Sequence, residues 1–320
     1  MSSSRQARVK SQLLNIVDAM KLTESTSRIV SQGSVFVALT SLGVLVISHG
    51  LPFLKRRPRR SFVASLVESL NGEGGALWLN LGFWREKTSY PEAAEALACA
   101  VASKARMQPG ALVVDVGCGM GESMLCWQRN FGASLQSIGV NNSMAEVVEA
   151  RLRGIAVIQG DASALPFADG SADVVIALDS AYHFRYRRDF LIETARVLRS
   201  GGTFGAADII NSDDHGRVGT LWRRRFVSAI SGIPLENISG GTAQYEADLA
   251  SAGLSVRVSI DDVTAEVVTD GFAMGDWTRN RQLKVVAWLI GFLIRQGGLR
   301  YVLVTATKEG VPVAVEQKYS

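Results

Sequence analysis

Short apolar runs recur between Ala111 and Ile209, each closed by a polar or glycine cluster. Ala111-Leu112-Val113-Val114 ends at Asp115, Leu135 to Val140 ends at Asn141-Asn142-Ser143, and Ile155 to Ile158 leads into Gln159-Gly160-Asp161-Ala162. Ala172 to Leu178 ends at Asp179-Ser180-Ala181-Tyr182-His183, and Thr203 to Ile209 carries Asp208. Runs of this length read as buried strands. Between them lie helical stretches: Glu122 to Asn130, and one with apolar residues at Phe190, Leu191, Ala195 and Leu198. The second stops at Ser200-Gly201-Gly202, a helix end signal. Strands alternating with helices at this pitch predict a doubly wound parallel sheet. Ligands in such sheets sit outside the carboxyl ends of the strands, where Asp115, Asn141, Asp161, Asp179 and Asp208 fall. Two later runs, Leu254 to Val258 and Tyr301 to Ala306, add a sixth and a last strand.

The first strand turn carries the most chemistry. Asp115-Val116-Gly117-Cys118-Gly119-Met120-Gly121 places a glycine loop between a strand and a helix N-terminus, the arrangement of a nucleotide cofactor site. A dinucleotide loop wants G-x-G-x-x-G; here the spacing is G-x-G-x-G after an acid. With Gln159-Gly160-Asp161-Ala162-Ser163-Ala164-Leu165-Pro166-Phe167 and Arg196-Val197-Leu198-Arg199-Ser200-Gly201-Gly202-Thr203, the stretch from Gln108 to Ile210 resembles the core of class I S-adenosylmethionine (SAM) methyltransferases. A dinucleotide site and a non-catalytic binding module are the competing readings.

The resemblance implies an α/β, Rossmann-like methyltransferase fold with a mixed seven-stranded sheet whose last strand is antiparallel. It also implies SAM as cofactor. Gly117, Gly119 and Gly121 would let the loop approach the amino-acid end of SAM, with Cys118 inside the loop and Asp115 ordering the turn. Asp161 would accept from the adenine amino group, with the Ala162 N–H beside it. The family usually has an acid on the ribose at the end of strand two. This chain has Asn141 there, followed by Asn142; an amide still bonds a hydroxyl, but without charge assistance. Asp179 completes the cofactor set.

Other segments resemble the lipid-directed branch. Gly82-Phe83-Trp84 is similar to the glycine–aromatic–Trp pattern of sterol and tocopherol methyltransferases, and implies a substrate-facing cover shared with Tyr182. Histidines usual before that glycine are replaced by Asn80 and Leu81. Gly139-Val140-Asn141-Asn142 is similar to a sterol methyltransferase turn, and Asp179 to Gly202 resembles phthiotriolone-type lipid methyltransferases. The acceptor class implied is a lipophilic small molecule such as a sterol, a prenylated phenol or a polyketide-like lipid. For a hydroxyl acceptor a base is needed. His183 has a suitable unperturbed pKa of about 6.5, with Tyr182 and Asp179 as orienting candidates. A packed core histidine and a sheet-capping Trp84 are the plain structural alternatives.

The N-terminal pattern is different in kind. No charged residue occurs from Ile29 to Leu54, and Val35 to Leu54 is apolar enough to cross a bilayer, which takes about 20 residues. Lys55-Arg56-Arg57-Pro58-Arg59-Arg60 follows, a basic stop that predicts a single-pass transmembrane helix with the catalytic domain on the cytoplasmic side. In a eukaryote the endoplasmic reticulum is the expected membrane. A buried helix and a mitochondrial presequence are the alternatives, and Asp18 and Glu24 argue against the presequence. The resulting plan is a tail at 1–30, an anchor at 31–60, cover helices at 61–106 and a SAM-binding core at 107–210. A helical cap insertion with the last two strands then occupies 211–320. Val285 to Ile294 is apolar but too short to span a bilayer, so a cap helix or a surface contact is expected.

Charge and cysteine use add limits. The net charge of +4 is accounted for by the basic run, which suits anionic lipid. The core has no basic stripe with interleaved aromatics, so no nucleic acid is expected. Cys99, Cys118 and Cys126 have neither metal-site nor disulfide spacing along the sequence.

Overall fold

In the computed structural model, residues 75–85, 89–132, 134–212, 220–269 and 298–310 are described, with isolated positions within 67–71 and 278–294. The tail, the anchor segment and its basic run lie outside the described residues. Among the described residues no helix is long and apolar enough to cross a membrane. The chain divides into two units, Met1–Val63 and Ala64–Ser320, and all that follows concerns the second.

Helix α1 (Tyr90–Lys104) precedes the sheet, with Pro91 in its first turn, where a missing N–H costs nothing. Strand β1 (Leu112–Val116) leads through the glycine loop into α2 (Glu122–Phe131). Then come β2 (Gln136–Asn141), α3 (Met144–Leu152), β3 (Val157–Gln159) and β4 (Ala172–Leu178). A 3₁₀ turn, Ala181–His183, joins β4 to α4 (Arg187–Val197) and β5 (Leu198–Asn211). Helices α5 (Thr220–Ser231) and α6 (Thr242–Ser251) precede β6 (Val256–Asp262) and β7 (Leu299–Thr307).

The seven strands form one sheet in the order β3-β2-β1-β4-β5-β7-β6. Neighbours from β3 to β5 pair in parallel, while β7 is antiparallel to both β5 and β6. The expected mixed seven-stranded sheet is therefore present. Both faces are covered, and successive residues serve them in turn. Val113, Val174, Ile176 and Leu303 pack with residues of α1 and α2, such as Leu97 and Trp127. Val114, Val175, Ala177 and Val304 pack with residues of α4 and α6, such as Phe190 and Leu249. Burial on two faces explains why these strands read as continuous apolar runs.

β6 runs later than the expected Leu254 to Val258, and the junction of α4 with β5 differs more deeply from the sequence reading. Helix α4 ends at Val197, and Leu198 is already extended, so Ser200-Gly201-Gly202 lies inside β5 rather than at a helix end. The reason is an irregular pairing with β4 between Ala172 and Val174. A Cβ at Gly202 would lie 3.0 Å from the Asp173 carbonyl oxygen, so glycine permits the close strand approach. The described positions of Val285 to Ile294 are helical, and Ala287 and Ile294 join the core, as a cap or core helix would.

Candidate active site

The carboxyl ends of β1, β2, β3 and β4 open onto one cavity of about 860 Å³. The glycine loop forms one wall. Gly117 (φ +77°) runs so close to the β4 end that an added Cβ would lie 2.5 Å from Ser180 Cβ. Gly119 (φ +55°) is the opposite case: an added Cβ meets nothing within 4 Å, because the loop faces open space there. Gly121 starts α2 but does not line the cavity; a Cβ there would meet Ile155.

Asp115 is fully buried at the end of β1 and accepts a 2.5 Å hydrogen bond from Ser123 Oγ. Its other oxygen, Oδ1, has no partner, and burial raises its pKa to about 7 despite the Ser123 bond. A buried acceptor beside an open glycine loop suits a ligand that brings a hydrogen-bond donor, as the amino-acid end of SAM does. Across the cavity, the Asp161 carboxylate accepts from Ser163 N (2.8 Å) and Ser163 Oγ (2.7 Å), and these bonds hold its pKa below the usual range. Ala162 lies beside it on the same wall.

The β2 end departs from the sequence expectation in a useful way. Asn141 is buried, and its amide Nδ2 donates to Glu146 Oε2 at 2.6 Å. Glu146, in the first turn of α3, also lines the cavity. The acid absent from the strand end is thus delivered from the following helix. Its only sequence signal was a glutamate five residues downstream. Asn142 lines the same wall and is exposed.

At the β4 end, Asp179 adopts a left-handed φ of 56°, uncommon outside glycine. It accepts from Leu81 N and Tyr182 Oη, both at 2.5 Å. Burial raises its pKa to about 6, with these donors pulling the other way. The Tyr182 hydroxyl is committed to that carboxylate, leaving its ring to pack 4.4 Å from the His183 ring, centroid to centroid. His183 closes the 3₁₀ turn, lines the cavity and is exposed. Surrounding protein nevertheless removes enough water to hold its pKa below 6.5.

The segment before Gly82-Phe83-Trp84, expected as part of a cover, forms the remaining wall as a strap: Leu77, Trp78, Leu79 and Asn80. Two cavity carboxylates hold it. Leu77 N donates to Glu122 Oε2 at 2.9 Å, and Leu81 N donates to Asp179. Gly82, Phe83 and Trp84, expected to face the substrate, do not line the cavity. Trp84 is buried, its indole N–H donates to Leu81 O at 2.8 Å, and Phe83 N donates to Ala93 O. They fasten the strap to α1 instead. Gly82 (φ +79°) permits the turn, with a hypothetical Cβ only 2.9 Å from that of Ala93. Arg85 and Arg187, outside the cavity, are tied in ion pairs to Glu266 and Asp208. The Asp208 carboxylate also accepts from Tyr245 Oη; contrary to expectation it lies within β5, which runs on to Asn211, and it is structural.

Comparison with known proteins points to one kind of domain. Residues 114–206 match the model of a methyltransferase domain. This chain carries a class I SAM-dependent methyltransferase domain. The chain is 29% identical over 205 residues to methyltransferase GfsG of Streptomyces halstedii, covering 61% of this chain and 72% of that one. It is 33% identical over 162 residues to a probable phthiotriol/phenolphthiotriol dimycocerosates methyltransferase of Mycobacterium ulcerans, covering 50% and 52%. Against erythromycin 3''-O-methyltransferase of Saccharopolyspora erythraea the match is 33% over 175 residues, covering 50% and 56%. The matched region therefore spans about half the length of the last two relatives.

Among solved structures, geranyl diphosphate C-methyltransferase from Streptomyces coelicolor superposes with a TM-score of 0.59 at 19% identity, over 79% of this chain and 99% of that one. The [4+2]-cyclase SpnF superposes with a TM-score of 0.57 at 21% identity, over 78% and 93%. These likenesses concern the fold, and the second protein is named for a different reaction on the same scaffold.

The methyltransferase domain's cofactor is SAM. Replacing Asp161 by alanine is expected to weaken SAM binding by roughly tenfold, the loss of a hydrogen bond to a charged acceptor at about 1.5 kcal/mol. Titration calorimetry checks this, and wild-type affinity in Asp161→Ala would place the adenine elsewhere.

Proposed function

We propose that this chain is a membrane-held SAM-dependent methyltransferase that methylates a lipophilic small molecule, such as a sterol, a prenylated phenol or a polyketide-like lipid. The observation that carries the proposal is a single cavity lined by the glycine loop, by Asp161 and by the Tyr182–His183 turn. Asp115, Gly117, Cys118 and Gly119 would hold the amino-acid end of SAM, Asn141 with Glu146 the ribose, and Asp161 with Ala162 the adenine. SAM, when bound, supplies a methyl group on an electrophilic sulfonium. The protein's part is alignment of an acceptor about 3 Å away and exclusion of water.

His183 acts as general base on an acceptor hydroxyl. Its lowered pKa keeps the imidazole neutral at pH 7, so it can take the proton as the acceptor oxygen attacks. Tyr182 fixes the imidazole by ring contact, and Asp179 fixes Tyr182. Leu77 and Leu79 of the strap give the cavity an apolar wall. The names of the phthiotriol-directed and erythromycin-directed relatives support a lipophilic acceptor. Incubation of the full chain with methyl-labelled SAM and membrane lipid extracts should yield label in the organic phase. Bound SAM with no transfer to any extract would favour a non-catalytic module.

Residues 31–60 serve as the anchor in this reading, with the catalytic domain on the cytoplasmic face and the basic run against anionic headgroups. Removal of residues 1–60 should leave a folded domain, because every described element lies beyond Ser61. That truncation should move from the membrane fraction to the supernatant after alkaline extraction. Alkali-resistant retention would contradict a single N-terminal anchor.

A further inference from the structure

Cys99 and Cys126 are far apart in sequence and show no disulfide spacing, yet the packing of α1 on α2 brings them together. Their sulfur atoms are 3.6 Å apart, with Cys99 half-buried and Cys126 fully buried. Helix α1 is tied to α2 beside the pair. The Trp127 indole N–H donates to Ala98 O at 3.0 Å, and Asn130 Nδ2 donates to Glu95 at 3.3 Å. Asn130 Nδ2 also lies 3.5 Å from the Cys126 sulfur. Neither cysteine lines the cavity, so methyl transfer makes no use of them.

We propose that Cys99 and Cys126 form a reversible redox modification site that hydrogen peroxide closes to an intramolecular disulfide. The two sulfurs already face one another, and bond formation requires an approach of about 1.5 Å to reach the usual length near 2.05 Å. The two thiols are inequivalent. A hydrogen bond from Cys126 holds the Cys99 thiol below the usual range, with Arg129 helping and Glu95 opposing. The same bond, together with burial, pushes Cys126 up. Cys99, the more accessible, is therefore the attacking thiolate, and Cys126 the resolving thiol.

In the first step Cys99 Sγ⁻ attacks one peroxide oxygen, the O–O bond breaks, and hydroxide leaves, giving a sulfenic acid. In the second step Cys126 Sγ displaces that oxygen; the S–S bond forms as the S–O bond breaks, and water departs. Two thiols lose two electrons and two protons overall, and one peroxide becomes two waters. The closed loop contains β1 and the whole glycine loop. Oxidation would thus cross-link the two ends of the segment that carries the glycine loop.

The test uses the reduced full chain, exposed to equimolar hydrogen peroxide, quenched, denatured and alkylated. The expected result is a mass 2 Da lower before alkylation, one alkylatable thiol instead of three, and a cross-linked peptide pair containing Cys99 and Cys126. Dithiothreitol should restore all three thiols. Cys99→Ser should abolish the cross-link, whereas Cys118→Ser should retain it. Cys126→Ser should instead accumulate a sulfenic acid at Cys99, trapped by dimedone. Three thiols remaining after exposure, a cross-link through Cys118, or overoxidation without a cross-link would overturn the proposal.

Discussion

Gly119→Arg is expected to weaken SAM binding by roughly 100-fold or more, equivalent to about 3 kcal/mol, while the domain stays folded. The direction follows from the loop geometry. A side chain at Gly119 meets no protein atom within 4 Å, so nothing in the fold forbids it, and the arginine occupies the space that the loop keeps open. The residue also sits at φ +55°, which costs a non-glycine residue about 1–2 kcal/mol in local strain. Gly119→Ala separates the two effects, because it carries the strain with little of the bulk. Binding should then fall by a smaller factor, with a similar shift in melting temperature for both variants. Calorimetric titration with SAM reads the difference, and wild-type affinity in Gly119→Arg would remove the loop from the cofactor site. Gly117→Arg is the contrasting change. Its side chain would collide with Ser180, so unfolding, not selective loss of binding, is expected.

His183→Ala is expected to lower turnover by roughly 100- to 10,000-fold, with SAM affinity nearly unchanged. The imidazole is held neutral at pH 7 because the surrounding protein strips away part of its water and lowers its pKa below 6.5. Acidification protonates it, so wild-type activity should fall as pH drops through that lowered value. The variant should lose that acid limb. A loss under tenfold with an unaltered pH profile would point to alignment alone, as for a carbon acceptor. His183→Gln keeps the polarity and approximate size of the ring while removing the base. It should resemble the alanine variant in rate if proton removal is the role. It should resemble wild type if packing against Tyr182 is the role.

Much of the sheet was legible because its strands are buried on both faces and so read as uninterrupted apolar runs. Ala172–Leu178 is the plainest case, predicted and found with the same bounds. The end of α4 was not legible. Ser200-Gly201-Gly202 has the composition of a helix stop, but tertiary pairing with β4 draws Leu198 onward into a strand. The site was legible where function needs a local motif, as at Gly117, Gly119 and Asp161. It was opaque where function depends on distant residues meeting. Glu146 reaches Asn141 across a turn, and the strap Leu77–Asn80 is held by Glu122 and Asp179, 45 and 98 residues away from their partners. The Cys99–Cys126 contact belongs to the same class. Trp84 shows the converse: a pattern visible in sequence whose indole the fold spends on anchoring the strap, through Leu81 O.

The most direct measurement of the central claim, that one cavity holds cofactor and acceptor together, is a crystal structure of the catalytic domain with S-adenosylhomocysteine. The account predicts the amino-acid end against Asp115 and Gly119, the adenine beside Asp161, and the sulfur facing the His183–Tyr182 end of the cavity. A ligand whose sulfur turns away from His183, or one bound outside this cavity, would contradict it.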